Sequence, residues 1–157
     1  MSDWQQKLSQ VLADTLNASR PALTGDTLVM LAVDCHPWDG GLYVAVLTQS
    51  EVETDSSLAD PAEMAAWKHY DFAESLSEFN VDSLCETMKS DYYATENCDQ
   101  TARGYLRACA AALADNRVRS ALQAYVLRDA FRVSVTHPDD RTEYCATQTT
   151  RLRSDGR

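Results

Sequence analysis

The sequence lacks the short motifs that mark common catalytic and nucleotide-binding sites. It contains no G-x-G-x-x-G, no P-loop and no G-x-S-x-G, so nothing in it predicts a dinucleotide fold, a phosphate-binding loop or a nucleophilic serine on a tight turn. Its five cysteines form no C-x-x-C pair, and its three histidines have neither zinc-finger nor H-E-x-x-H spacing. We therefore expect no metal site and no cofactor.

Long hydrophobic runs and a secretory leader are also missing. No stretch approaches the roughly 18 consecutive apolar residues of a membrane span, and the polar start, residues 1–7, is not followed by the apolar core of a signal peptide. An odd number of cysteines without paired spacing is typical of free thiols in a reducing compartment. These absences predict a cytoplasmic protein with no membrane partner.

Basic residues are scarce in the middle of the chain, which has 157 residues and a net charge of −10. Residues 51–99, here called the acidic segment, hold thirteen acidic residues against Lys68 and Lys89, a net charge of −11. Residues 100–157 hold six acidic residues and ten arginines, a net charge of +4. This distribution argues against nucleic-acid binding through a broad basic surface and favours a basic protein partner. A solvated surface without a binding role is the alternative.

A β-hairpin is the clearest structural signal in the sequence. Residues 28–35 are almost continuously apolar, and residues 36–41 contain the turn sequence His-Pro-Trp-Asp-Gly-Gly. Residues 42–48 form the return strand, and the pattern allows this strand to continue to Val52. Because both faces of the first strand are apolar, we expect it to lie centrally in a sheet.

Helical periodicity and helix-start signals flank this hairpin, and strand signals recur late in the chain. The predicted helices cover 3–18, 61–67, 82–93 and 100–114, with a helical period from 118 to about 127, and the predicted strands cover 130–136 and 143–152. The pattern predicts one α+β domain over residues 1–150, with an antiparallel sheet of three to five strands and helices mainly on one face. Residues 151–157 are predicted to be a disordered basic tail.

The sequence Asp34-Cys35-His36 is the most suggestive cluster of reactive side chains. A cysteine activated by a histidine is a possible nucleophile, but neighbours on a strand point to opposite faces. We therefore favour a core cysteine beside a histidine of the turn. A small enzyme with a site near residues 34–41 is the alternative.

Two tryptophans are candidates for contact with a partner. Trp38 lies at the predicted hairpin tip, where an exposed ring is a good interface anchor. A ring that caps the hairpin from its own loop is the alternative. We favour a position in the core for Trp67, although an exposed Trp67 would also be an interface anchor. The candidate partner-binding residues are Trp38, Glu51, Glu53, Asp55, Asp60, Glu63, Trp67 and Asp71.

The order of elements resembles that of small bacterial α+β proteins grouped with the immunity proteins of polymorphic toxin systems. The segments that carry the resemblance are residues 31–42, 67–72 and 130–136, within a pattern that covers roughly residues 1–140. The resemblance implies a non-enzymatic inhibitor of a protein partner. It assigns no functional residue.

Together these observations predict a non-enzymatic cytoplasmic binding protein that uses the acidic segment, 51–99, against a basic partner. Two other interpretations stay open. One is the small enzyme near residues 34–41, and the other is a structural homodimer that pairs through the late edge strand.

Overall fold

The computed structural model describes residues 1–144 of the chain. Thr136 and Glu143 form an isolated antiparallel bridge. Residues 145–152 of the strand predicted at 143–152 and the tail predicted at 151–157 lie outside the described residues.

A three-stranded mixed sheet forms the centre of the α+β fold. Its strands are β1 (Leu28–His36), β2 (Gly41–Thr48) and β3 (Leu127–Val135), in the order β2-β1-β3. β1 pairs antiparallel with β2 and parallel with β3. The antiparallel prediction is therefore wrong for β3, because the long connection through residues 49–126 returns the chain in the direction of β1, as a crossover connection does.

The predicted hairpin is confirmed, with β1 as the central strand. Val33 pairs with Val44 on one side and with Val135 on the other. The turn uses the left-handed backbone conformation of Gly40, whose φ is 68°. A side chain is strained at such a φ, which is why glycine suits this position.

The helices lie before and after the hairpin. They are α1 (Ser2–Ala18), α2 (Arg20–Leu23), α3 (Gln49–Thr54), α4 (Asp82–Ala94), α5 (Cys98–Leu113) and α6 (Asn116–Leu122), with 3-10 helices at Ser56–Ala59 and Pro61–Ala66. No helix in the described part of the chain combines the length and apolar character needed to cross a lipid bilayer.

Several predicted elements differ from the structure in type or extent. The second strand does not continue to Val52, because Thr48 and Glu51 form a capping box that starts α3. The helix predicted at 61–67 is a 3-10 helix. Helical periodicity predicts a helix to about residue 127, but α6 ends at Leu122 and β3 begins at Leu127.

Two hydrophobic clusters cover opposite faces of the sheet. On the first face, residues of α1, α4, α5 and α6 pack against Leu31, Val33 and Cys35 of β1. The indole nitrogen of Trp4 donates a hydrogen bond to the Leu84 carbonyl at 3.0 Å, which joins α1 to α4. On the second face the smaller cluster consists of Val29, Met30, Ala32, Ala45, Leu47, Met64 and Trp67. β1 is thus buried on both sides.

Candidate functional site

The acidic segment wraps around the β2 edge of the sheet. Its first part packs on the second face through Trp67, and the N–H of Val46 on the outer side of β2 donates to the His69 carbonyl at 3.1 Å. Its last part, α4, packs on the first face, where Met88 is fully buried. The segment is therefore a continuous surface layer on two faces and one edge of the sheet.

Almost every carboxylate of this layer faces solvent. Twelve of the thirteen acidic residues are exposed, and Glu51 is half-buried. Among the described residues, Asp99 alone of these thirteen forms a salt bridge, with Arg103 at 2.9 Å. The negative charge of the acidic segment is therefore largely unneutralised by basic side chains of the described fold.

Three of the predicted partner-binding acids also have local structural roles. Glu51 accepts hydrogen bonds from the backbone N–H and hydroxyl of Thr48. Asp55 and Asp60 each accept from the backbone at the start of a 3-10 helix, as N-caps do. Hydrogen bonds from Ser57 lower the pKa of Asp55.

The other three predicted acids are fully on the surface. Glu53 accepts a hydrogen bond from the side chain of Gln49 at 3.1 Å, and Glu63 and Asp71 are exposed. Asp71 also lines a depression of about 220 Å³ beside Tyr43. These three carboxylates are available to a partner without loss of a helix cap.

The two candidate tryptophans have different environments. Trp67 is only 3% exposed, and its indole nitrogen donates to the Leu58 carbonyl at 2.8 Å. Its ring belongs to the core, which is the interpretation favoured above, and it offers no surface to a partner. Trp38 is half-buried at the hairpin turn.

Trp38 is part of a continuous row of aromatic rings. Successive ring centroids along the row lie 5.7, 6.2, 5.7, 6.3 and 5.2 Å apart, within the range of favourable aromatic pairs. The row, here called the aromatic strip, consists of Tyr70, Tyr43, His36, Trp38, Tyr92 and Tyr93.

The strip is most accessible at Tyr43 and Tyr93, which are 39% and 67% exposed. Its members come from the hairpin, the loop after Trp67 and α4. Trp38 is a candidate from its place in the turn sequence, but the other members of the strip are not predictable, since no local spacing links these segments.

Asp34 holds one end of the strip in place. The Tyr70 hydroxyl donates to Asp34 at 2.6 Å, and Nε2 of His36 donates to the same carboxylate at 2.8 Å. Asp34 is only 8% exposed. Its hydrogen bond raises the pKa of His36, while burial, followed by the bond to Asp34, raises the pKa of Tyr70. The arrangement fixes both rings and keeps a negative charge beneath them.

Cys35 points away from this group. It is fully buried on the first face, where its thiol lies 3.5 Å from the sulfur of Met88. A hydrogen bond with Cys109 and burial raise its thiol pKa well above the ordinary value. As predicted from strand alternation, Cys35 and His36 therefore do not meet.

Two depressions lie near the acidic segment. The larger, of about 500 Å³, lies between the region of Gly25 and α3 and includes Lys68 and His69. The smaller is the one beside Tyr43. Neither is lined by Asp34, Cys35 or His36, and within residues 1–144 no group of three or more His, Cys, Asp or Glu side chains is arranged to hold a metal ion.

The candidate site combines exposed carboxylates with exposed aromatic rings. Such a surface is able to attract positive charge and to form desolvated contacts at its centre. Comparison of the chain with known protein families, with curated proteins and with solved structures found no match.

Proposed function

We propose that this chain is a non-enzymatic cytoplasmic protein that binds a basic protein partner through its acidic segment, in the manner of an immunity protein that masks a toxin. The observation that carries the proposal is the layer of twelve exposed carboxylates, of which only Asp99 has a basic partner within the described fold.

Repulsion within this layer favours the binding of a basic partner. Thirteen acidic residues and two lysines lie within 49 consecutive positions, residues 51–99, and like charges held close together disfavour the compact state. A basic surface on a partner relieves this repulsion and accelerates association, because complementary charge steers the encounter. Salt weakens such steering, since the Debye length is about 10 Å at 0.1 M ionic strength.

The small enzyme near residues 34–41 is the second candidate, and one observation favours it. Asp34 orients the His36 ring through a 2.8 Å contact, as a carboxylate does for a histidine in general acid–base catalysis. The neighbouring depressions do not include these side chains, so the binding proposal has the stronger support.

The test of the binding proposal compares two triple variants of equal charge. Glu63→Gln, Glu74→Gln and Glu86→Gln together remove three exposed carboxylates of the acidic segment that cap no helix. The matched control carries Asp3→Asn, Asp14→Asn and Asp129→Asn, three exposed positions outside the segment.

Each immobilised protein is incubated with lysate of the source cells at low salt, and bound proteins are eluted by salt and identified by mass spectrometry. We expect the wild type and the control variant to retain the same basic protein and the acidic-segment variant to retain much less. Equal retention by all three proteins, or retention that salt does not reverse, would overturn the proposal.

A further inference from the structure

We propose that the aromatic strip binds arginine side chains of the basic partner. This inference rests on the proposed function and names the chemistry recognised at its centre. The strip is exposed at Tyr93 and Tyr43 and passes between them through His36 and Trp38, so that ring edges and faces form one surface beside the hairpin turn.

Carboxylates lie at several points along this surface. Asp34 accepts from both His36 and Tyr70, Asp39 follows Trp38 in the hairpin turn, and Asp71 lines the depression beside Tyr43. The nearby Arg103 is occupied, because its guanidinium bonds to Asp99, Asp140 and Tyr144. Aromatic rings flanked by carboxylates are complementary, in charge and in polarity, to a cation that has an apolar face.

Arginine meets this requirement better than lysine. Its planar guanidinium stacks on aromatic rings and donates in pairs to carboxylates, whereas the lysine ammonium is a compact, strongly hydrated charge. A cation over an aromatic ring contributes enough to change affinity by about 2- to 30-fold, depending on its exposure. We therefore expect the rings of the strip to favour arginine over lysine.

The experiment titrates the full-length protein with an oligo-arginine peptide and with an oligo-lysine peptide of equal length. Peptide affinity is measured by fluorescence polarisation, and the protein's tryptophan emission is recorded in parallel. Because Trp4 and Trp67 are buried and Trp38 is half-exposed, a change of emission that disappears in Trp38→Phe reports contact at the strip.

Three single variants locate the contact. Tyr93→Ala and Trp38→Ala remove rings of the strip, and Val126→Ala is the control at a 64% exposed apolar residue that precedes β3. We expect arginine to bind more tightly than lysine, by at most about 30-fold, with this preference reduced in Tyr93→Ala and Trp38→Ala and kept in Val126→Ala. Because Tyr93 is so exposed, its variant keeps the test valid even if the Trp38→Ala protein does not fold.

Equal affinity for the two peptides in the wild type, or a preference unaffected by both ring variants, would overturn this inference. The acidic-segment variant separates it from the proposed function. If Glu63→Gln, Glu74→Gln and Glu86→Gln weaken both peptides but keep their ratio, both proposals stand. If the ratio depends on the rings while the triple variant binds normally, the strip inference stands and the role of the acidic segment falls.

Discussion

Replacing Tyr70 by phenylalanine removes a single hydroxyl from the end of the aromatic strip. That hydroxyl donates to Asp34 at 2.6 Å, and the carboxylate it reaches is only 8% exposed. The phenylalanine ring still fills the same space and still stacks on Tyr43, whose centroid lies 5.7 Å away. The substitution therefore tests one hydrogen bond to a largely buried negative charge.

The magnitude follows from the charge and the burial of the acceptor. A hydrogen bond to a charged group contributes about 1.5–3 kcal/mol, and leaving a buried acceptor with one partner fewer adds to its desolvation cost. His36 still donates to Asp34, so we expect Tyr70→Phe to lower the free energy of unfolding by about 2 kcal/mol. In a protein of this size that corresponds to a fall in Tm of about 4–8 °C.

Tyr43→Phe is the matched control. Tyr43 is 39% exposed, and among the described residues its hydroxyl has no hydrogen-bond partner. Removal of this hydroxyl is therefore expected to change the free energy of unfolding by less than about 0.5 kcal/mol. Urea unfolding of the wild type and both variants, followed by circular dichroism, gives the comparison directly.

Equal stability of Tyr70→Phe and Tyr43→Phe would refute a structural role for the Tyr70 hydrogen bond. That result would mean that water serves Asp34 as well as the Tyr70 hydroxyl does, and that the carboxylate does not hold the strip. If both variants lost a large part of the free energy of unfolding, the hydroxyl groups would act through the packing of the rings and not through the hydrogen bond to Asp34.

Three further predictions concern the turn and the core. The hydrogen bond to Asp34 raises the pKa of His36 above 6.5. The stability that this bond contributes is therefore complete below pH 6.5 and is lost as pH rises through the raised pKa. Urea unfolding across this range should show the loss in the wild type and not in His36→Gln. Gly40→Ala should lower the free energy of unfolding by more than about 1 kcal/mol. The backbone φ at this position is +68°, and an added Cβ lies 3.1 Å from the Cys85 carbonyl oxygen. Thermal unfolding measures this loss, and an unchanged Tm would contradict it. Met88→Ala should cost about 2–5 kcal/mol, since Met88 is fully buried; a loss below 1 kcal/mol in urea unfolding would show that this part of the core collapses around the cavity.

The hairpin was predictable because its signals are local. Apolar strands of the right length, separated by a turn with Gly40 and Gly41, depend on neighbouring residues alone. The burial of β1 on both faces likewise followed from its continuous apolar sequence. The capping box of Thr48 and Glu51 is an equally local signal, and it ends the second strand at Thr48 instead of Val52.

The direction of β3 and the composition of the aromatic strip were not predictable in this way. Alternating apolar residues identify β3 as a strand whichever way it runs, and only the path of the preceding 49–126 connection makes it parallel to β1. Trp38 meets Tyr92, and Tyr43 meets Tyr70, because α4 and the loop after Trp67 both pack beside the hairpin. Neither result is encoded in the spacing of neighbouring residues.

The strand order also determines how the chain acquires its fold. Leu28 pairs with Thr48, 20 residues later, but with Leu127 only after 99 residues. Closing the longer loop costs about 1.4 kcal/mol more in chain entropy, so the hairpin has the advantage of early formation. Until β3 has been synthesised and docked, β1 has an unpaired side, where exposed backbone groups invite pairing with other chains. The central strand of the finished sheet is therefore an edge strand of the nascent one.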